Sequence, residues 1–249
     1  MPHSHRPTRA TGNGPTTAAD QAYVSLRREI LSCELAPGAR IVESEIAERL
    51  DMSKTPVKKA LGMLEHEGFV EVLPRHGYRV TEITLADVQE IYQLRLITEP
   101  AAAELAATNA TPEQLQEMRR LVDDAPNDSF EEQAAKVLRF HEVLAEASGN
   151  ERLSLILSGL MDETQRLMSM GLDIGESLSQ QAGEHRELVD ALLKGNHHIA
   201  REIAKTQVEV GRMRMFEAIL ASLTTAGGAA DTVVLRPANR NPGRTGDQA

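Results

Sequence analysis

Apolar positions along the chain follow two different periodicities. From Asp20 to about Glu82 three short helix patterns precede an alternating run. The clearest helix has Val57, Ala60, Leu61 and Leu64 at i, i+3, i+4 and i+7, a stripe that faces a core. Ile46, Ala47 and Leu50 mark a shorter helix before it, and Asp51-Met52 supplies a tight connection. The segment FVEVLPRHGYRV, Phe69 to Val80, alternates on both sides of a Pro/Gly turn and predicts a hairpin. From Thr84 to about Ser222 only long helical periodicities occur, enough for roughly six helices. Thr84-x-x-Asp87 and Thr111-Pro112-x-Gln114 have the form of capping boxes, the second with proline in the first turn. Gly149-Asn150, Gly171 to Gly175 and Gly195-Asn196 are the expected breaks between later helices.

The fold class that follows is mainly α. A winged helix-turn-helix with a small hairpin wing over residues 20–82 precedes an all-α bundle over 84–222. Residues 1–19 and 223–249, rich in Pro, Gly and Thr, are expected to be a flexible arm and tail. The short TVVL of the tail, Thr232 to Leu235, looks too isolated to join a sheet.

Charge first argues against nucleic acid. Lys+Arg is 27 against 37 Asp+Glu, a formal charge of −10, which excludes a chain that coats nucleic acid indiscriminately. A local basic surface survives that objection, because salt screens distant charges beyond roughly 10 Å. Cys33, the single cysteine, excludes an internal disulfide and any Cys-rich zinc motif. The first twenty residues lack the apolar core of a signal peptide, and no apolar run approaches the ~18 residues of a membrane span. A soluble cytoplasmic protein without a membrane partner is the expectation.

The local basic surface has a definite place. Opposite the Val57–Leu64 stripe lie Thr55, Lys58, Lys59, Gly62 and His66. Ser53 occupies the N-cap position, Pro56 the first turn, and Lys54 the N-terminal end, the part of a recognition helix that meets base edges. The hairpin tip, Pro74-Arg75-His76-Gly77, adds two more cationic or titratable side chains. A lysine face on a helix is often merely solvated. The order helix, short turn, helix, hairpin favours double-stranded DNA. The candidate DNA contacts are Ser53, Lys54, Thr55, Lys58, Lys59, Arg75 and His76.

LAPGARIVESEIAERLDMSKTPVKKALGMLEHEGFVEVLPRHGYRV, Leu35 to Val80, resembles the DNA-binding domain of the GntR family of bacterial transcription regulators. Pro37-Gly38, Glu45-Ile46-Ala47, Ser53-x-Thr55-Pro56-Val57, Ala60-Leu61, Leu64, Gly68 and Arg75-x-Gly77 carry the likeness. The resemblance implies DNA contacts at Ser53, Lys54, Thr55, Lys58 and at Arg75 or His76. Lys54 and Lys58 stand where the family usually has arginine. Lysine reaches guanine O6 and N7 without arginine's rigid fork, so weaker base discrimination or an altered operator is expected, with phosphate contact retained.

In the helical part, polar residues fall on stripes that are otherwise apolar. Arg95 shares a face with Val88, Ile91, Tyr92, Thr98 and Ala102, and His141 with Ala134, Val137, Leu138, Leu144 and Ala145. His185 accompanies Leu178, Ala182, Leu188, Val189 and Leu192. Gln207 accompanies Ile199, Ile203 and Val210, with Arg214 on the same side. Each could be a core residue bonded locally. A buried polar group left unpaired costs ~1–3 kcal/mol, so four on four helices are expected to satisfy one another or a ligand.

The segments YQLRLITEPAAAELAA, FHEVLAEASGN and EHRELVDALLKGN, in that order, resemble the FCD ligand-sensing domain of one large GntR subgroup, over roughly Leu85 to Leu220. The resemblance implies a divalent metal held by an aspartate, a histidine one turn later and two further histidines, helping to bind the carboxylate of a small organic acid. His141 and His185 match two of those histidines. Val137 stands at the aspartate position and Gln207 at the third histidine. Two imidazoles without an anionic ligand fall short of a zinc site. No cofactor is therefore expected, with His141 and His185 the residual candidates for a metal. The expected site is a metal-free pocket in which Arg95 meets an anion and His141, His185 and Gln207 supply hydrogen bonds.

The expected function is a homodimeric, DNA-binding transcription regulator that binds a near-palindromic operator and is relieved by a small metabolite. Two alternatives stand beside it. One is a DNA-binding regulator whose sensor has decayed. The other is an all-α enzyme using His141 and His185 as acid and base, although no nucleophile motif, phosphate loop or cofactor fingerprint accompanies them.

Overall fold

A computed structural model describes residues 17–123, 128–172, 174–226 and 234–235. The chain divides into two compact units. One runs to Arg28 and resumes over Ala39–Thr81; the other comprises Glu29–Gly38 and everything from Glu82 onward. Residues 29–38 thus belong with the helical unit, inside the span expected for the winged domain. Cys33 explains this in part: it packs against the core of the helical unit, its Sγ 3.5 Å from the carbonyl of Arg166.

The first unit contains α1 (Ala18–Leu31) as far as Arg28, β1 (Arg40–Ile41), α2 (Glu43–Arg49), α3 (Lys54–His66), β2 (Val70–Leu73) and β3 (Gly77–Val80). Leu26, Val57, Ala60, Leu61, Leu64 and Val80 are wholly buried, so the apolar stripe of α3 faces inward as its spacing requires. The turn between α2 and α3 closes through Asp51 in the left-handed region (φ 51°), and the Met52 N–H donates to Ala47 at 2.8 Å. The Tyr23 hydroxyl of α1 donates to Glu67 just beyond α3, at 2.6 Å. The strands form an antiparallel sheet in the order β1-β3-β2. Arg40 and Ile41 pair with Arg79 and Tyr78, a two-residue strand too short to leave an alternating signature.

The second unit has six helices among the described residues: α4 (Leu85–Asn109), α5 (Pro112–Val122), α6 (Phe130–Ala147), α7 (Glu151–Met168), α8 (Gly175–Leu193) and α9 (His197–Ala226). Thr84 and Thr111 form the expected capping boxes, and Ser129 with Glu132 forms a third at the start of α6. Helix α4 lies at the centre and packs against α6, α7, α8 and most extensively α9. Among the described residues no helix is long and apolar enough to cross a membrane.

Two expectations change here. Val234–Leu235, inside TVVL, forms β5 and pairs antiparallel with β4 (Ile83–Thr84), and Leu235 is 4% exposed. Two residues bury one apolar side chain against a strand distant in sequence, a pairing that no local pattern announces. The core face of α9 is also turned from its expected register. Ala200, Ala204, Val208, Met215 and Ile219 are buried, whereas Ile199 is 49% exposed. The small alanines carry a weak periodic signal, and the bulkier Ile199 drew the stripe to the wrong face.

Candidate functional site

The surface of α3 and the hairpin tip come first. Ser53, Lys54, Thr55, Lys58 and Lys59 are all exposed, as are Arg75 and His76. Ser53 sits at the N-cap in an extended conformation, but its hydroxyl makes no capping hydrogen bond. Gly62 has no atom within 4 Å of where a Cβ would stand, so the outer face of α3 is open at its middle. Lys59 lies near enough to Asp20 of α1 to help hold that carboxyl below its usual range, after the larger effect of hydrogen bonds from Thr17.

The wing tip is built by backbone geometry. Arg75 adopts a left-handed conformation (φ 67°), and the His76 N–H donates to Leu73 at 2.8 Å. Gly77 follows at φ 86°, where a Cβ would stand 2.5 Å from the Ile41 carbonyl oxygen. Only glycine allows β1 so close. Arg40 of β1 donates from Nε to the His76 carbonyl at 3.0 Å, bracing the tip. Arg40 was not among the expected residues; it lies outside both the helix and the hairpin that carry the motif.

The second candidate lies within the helical unit. Arg95, His141 and His185 are 6%, 5% and 3% exposed and line one cavity; half-buried Gln207 lines it too. The structure adds a residue that the sequence reading missed. Glu99, one turn after Arg95 on α4 and 2% exposed, accepts from Arg95 Nε at 2.5 Å and lies 2.9 Å from His141 Nδ1. The His141 contact is close but not aligned as a hydrogen bond. The i, i+4 spacing of Arg95 and Glu99 was the available signal.

Charge inside the cluster is balanced. Burial disfavours the Glu99 carboxylate, but Arg95 and His141 outweigh it and hold the group far below the usual carboxylate range. Burial likewise works against the Arg95 cation, and Glu99 more than restores it. The Arg95 guanidinium also lies over the Tyr92 ring, 4.9 Å from its centroid. His185 stacks on Phe140 with centroids 4.2 Å apart and meets His141 edge-on at 4.9 Å. Burial, reinforced by neighbouring His141, pushes His185 well below the ordinary imidazole range, so it is neutral.

Nearer solvent, Arg214 of α9 grips Glu184 of α8 with two hydrogen bonds, at 2.6 and 3.2 Å. The Gln207 amide donates to the Glu184 backbone carbonyl at 2.5 Å. Met161, Met168, Met215 and Ile174 complete the apolar wall. The space open to the centre of a water molecule is about 30 Å³, room for about two waters.

These donors do not fit a divalent metal. Val137 offers no ligand atom, and Gln207, its amide nitrogen donated to the Glu184 carbonyl, could offer only a neutral amide oxygen in place of an imidazole. Glu99, the one buried anion at hand, is shared between Arg95 and His141. Glu99, His141 and His185 do not bring three ligand atoms within 4.8 Å of one another.

Comparison with known proteins agrees with both halves. Residues 18–80 match the family described as bacterial regulatory proteins, gntR family, and residues 90–209 match the FCD domain. A Streptomyces ambofaciens HTH-type transcriptional regulator in an unstable DNA locus is 31% identical over 201 residues, covering 80% of this chain and 85% of that one. The "Probable D-xylose utilization operon transcriptional repressor" of Paenarthrobacter nicotinovorans is 30% identical over 207 residues, 77% of this chain and 89% of that one. The Escherichia coli repressor RspR is 27% identical over 181 residues, 70% and 78% respectively. Among solved structures, E. coli McbR/YncC superposes with a TM-score of 0.68 at 21% identity, covering 81% of this chain and 98% of that one. A Rhodococcus sp. RHA1 GntR protein gives 0.71 at 23%, covering 80% and 98%. At these identities the solved structures speak for the fold alone. The two matched domains and the similarity along most of the Streptomyces relative lead to one conclusion: the chain belongs to the GntR family of bacterial transcription regulators and carries an FCD domain behind its winged helix-turn-helix.

Proposed function

We propose that this DNA-binding regulator is a cytoplasmic, homodimeric repressor that reads a near-palindromic operator and releases it on binding a small organic acid or similar metabolite. The observation that carries the reading is the exposure of the lysine-bearing start of α3 together with that of Arg75 and His76 at the wing tip. In this reading Ser53, Lys54, Thr55 and Lys58 enter the major groove, where lysines reach guanine edges or phosphates. Arg75 and His76 meet a neighbouring groove or phosphate. Two half-sites suit two copies of a head this small. RspR and the Paenarthrobacter protein are both named repressors, which favours that sign of regulation.

The helical unit refines what the effector must do. Arg95 is already neutralised by Glu99, so a carboxylate entering the cavity gains less from Arg95 than an unpaired guanidinium would offer. The Arg214–Glu184 pair is half-buried and belongs to two different helices, which makes it the exchangeable partner. An entering acid takes over Arg214, frees Glu184 and loosens α8 from α9. A cavity with room for about two waters must widen for this to occur. The same small volume favours the second reading, a regulator whose sensor has lost its ligand. No catalytic role is assigned to His141 and His185; the stacked, neutral His185 is a packing group in this account.

Full-length protein screened by thermal shift against short mono-, di- and hydroxycarboxylic acids separates the two. An acid that raises the melting temperature, loses that effect in Arg214→Ala and releases promoter DNA supports the sensor. Stabilisation by none of them, with DNA binding intact, supports the ligand-free regulator.

A further inference from the structure

A second cluster of ligating side chains lies outside the cavity, where α9 begins against α4. Glu104 of α4 and His197 and His198, the first two residues of α9, each place one ligand atom within 4.8 Å of the others. Backbone geometry accounts for the convergence. Gly195 turns the chain at φ 62°, and the Asn196 side chain accepts from the Ile199 N–H at 3.3 Å, setting the first turn of α9. The two rings stand 4.3 Å apart between centroids, inclined by 42°. Arg201, one turn on, donates from Nη1 to Glu104 Oε2 and fixes the carboxylate while leaving Oε1 uncommitted to that bond.

We infer that Glu104, His197 and His198 form a surface site for a divalent transition-metal ion of the zinc type, with water completing the coordination. Two imidazoles and one carboxylate suit Zn²⁺, Ni²⁺ or Cu²⁺ and not the oxygen-seeking Mg²⁺ or Ca²⁺. Tetrahedral zinc places its ligand atoms about 3.3 Å apart, a distance that small rotations of the two exposed rings can reach. Both imidazoles are open to water, so the ion enters without opening the fold. The Arg201 cation and the positive end of α9 oppose it, which places the affinity in the micromolar range. The bound ion joins the C-terminal half of α4 to the first turn of α9. It is independent of His141 and His185, which lie in the core.

The test uses untagged, full-length protein stripped with a chelator and titrated with zinc chloride by calorimetry. One equivalent is expected to bind with micromolar affinity and to raise the melting temperature. The His197→Ala/His198→Ala double variant and Glu104→Gln are each expected to weaken binding about tenfold or more, while His141→Ala leaves it unchanged. The histidines are exposed, so the melting temperature of metal-free double variant should equal that of wild type. Cobalt(II) provides a second readout, with tetrahedral visible bands in wild type that disappear in the double variant. Equal zinc affinity in wild type and double variant, no zinc binding at micromolar concentrations, or binding lost on His141→Ala would each overturn the assignment.

Discussion

Arg95 Nε and Glu99 Oε1 lie 2.5 Å apart on successive turns of α4, with side chains 8% and 2% exposed, and the other Glu99 oxygen faces His141 Nδ1 at 2.9 Å. One carboxylate therefore neutralises the interior cation and lies against the histidine beside the cavity. Glu99→Gln removes the charge and keeps the shape, leaving Arg95 buried without its counter-ion. The expected cost is about 3–5 kcal/mol in urea denaturation, whereas Arg95→Met/Glu99→Leu costs less, because nothing charged remains. A Glu99→Gln cost below about 1 kcal/mol would remove Glu99 from this role.

His185 gives a pH signature of known sign. Its folded-state proton affinity is depressed by burial, so the unfolded chain binds the proton more readily than the folded one. Stability from this group is complete above the ordinary imidazole value of 6.5 and declines as pH falls below it, with a limiting slope of about 1.4 kcal/mol per pH unit. Glu99 also has a depressed value, but its contribution is lost only below 4.5, in a separate window. Denaturant midpoints measured between pH 8 and 5 should fall for wild type and fall less steeply for His185→Leu. Parallel curves would contradict the neutral, buried assignment.

The two halves of the protein were legible to different depths, for a physical reason. Val57, Ala60, Leu61 and Leu64 stand for one helix face, and their spacing alone places Thr55, Lys58, Lys59, Gly62 and His66 on the other side. The capping boxes at Thr84 and Thr111 are local hydrogen-bond chemistry and sit where the residues indicate. Arg95, His141 and His185 were recognisable as polar intruders in apolar stripes. What they bond was not. Glu99 reads as one more acid on a helix until tertiary packing shows that its face is internal. The β4–β5 pairing and the Glu184–Arg214 grip join residues far apart in the chain and leave no local periodicity.

Two glycines should respond oppositely to alanine. Gly77→Ala places a Cβ 2.5 Å from the Ile41 carbonyl oxygen at a positive φ, so β1 or the wing must move. A loss of about 2 kcal/mol or more and weaker DNA binding are expected. Gly62 lies on α3 with nothing within 4 Å of the added methyl, and alanine should stabilise the helix by about 0.5–1 kcal/mol. If DNA approaches this face, Gly62→Ala gains stability while losing affinity. Thermal melts and anisotropy titrations on the same samples distinguish the two effects; unchanged affinity in Gly62→Ala would place DNA elsewhere.

The salt dependence of Lys58→Ala tests most directly the proposal that the outer face of α3 lies in the DNA groove. Binding to a fragment of the protein's own promoter region should be followed by anisotropy across a series of salt concentrations. The expected result is weaker binding, with the slope of log affinity against log salt reduced by about 1, as for one lost phosphate contact. Affinity and slope both equal to wild type, in a variant that melts normally, would contradict it.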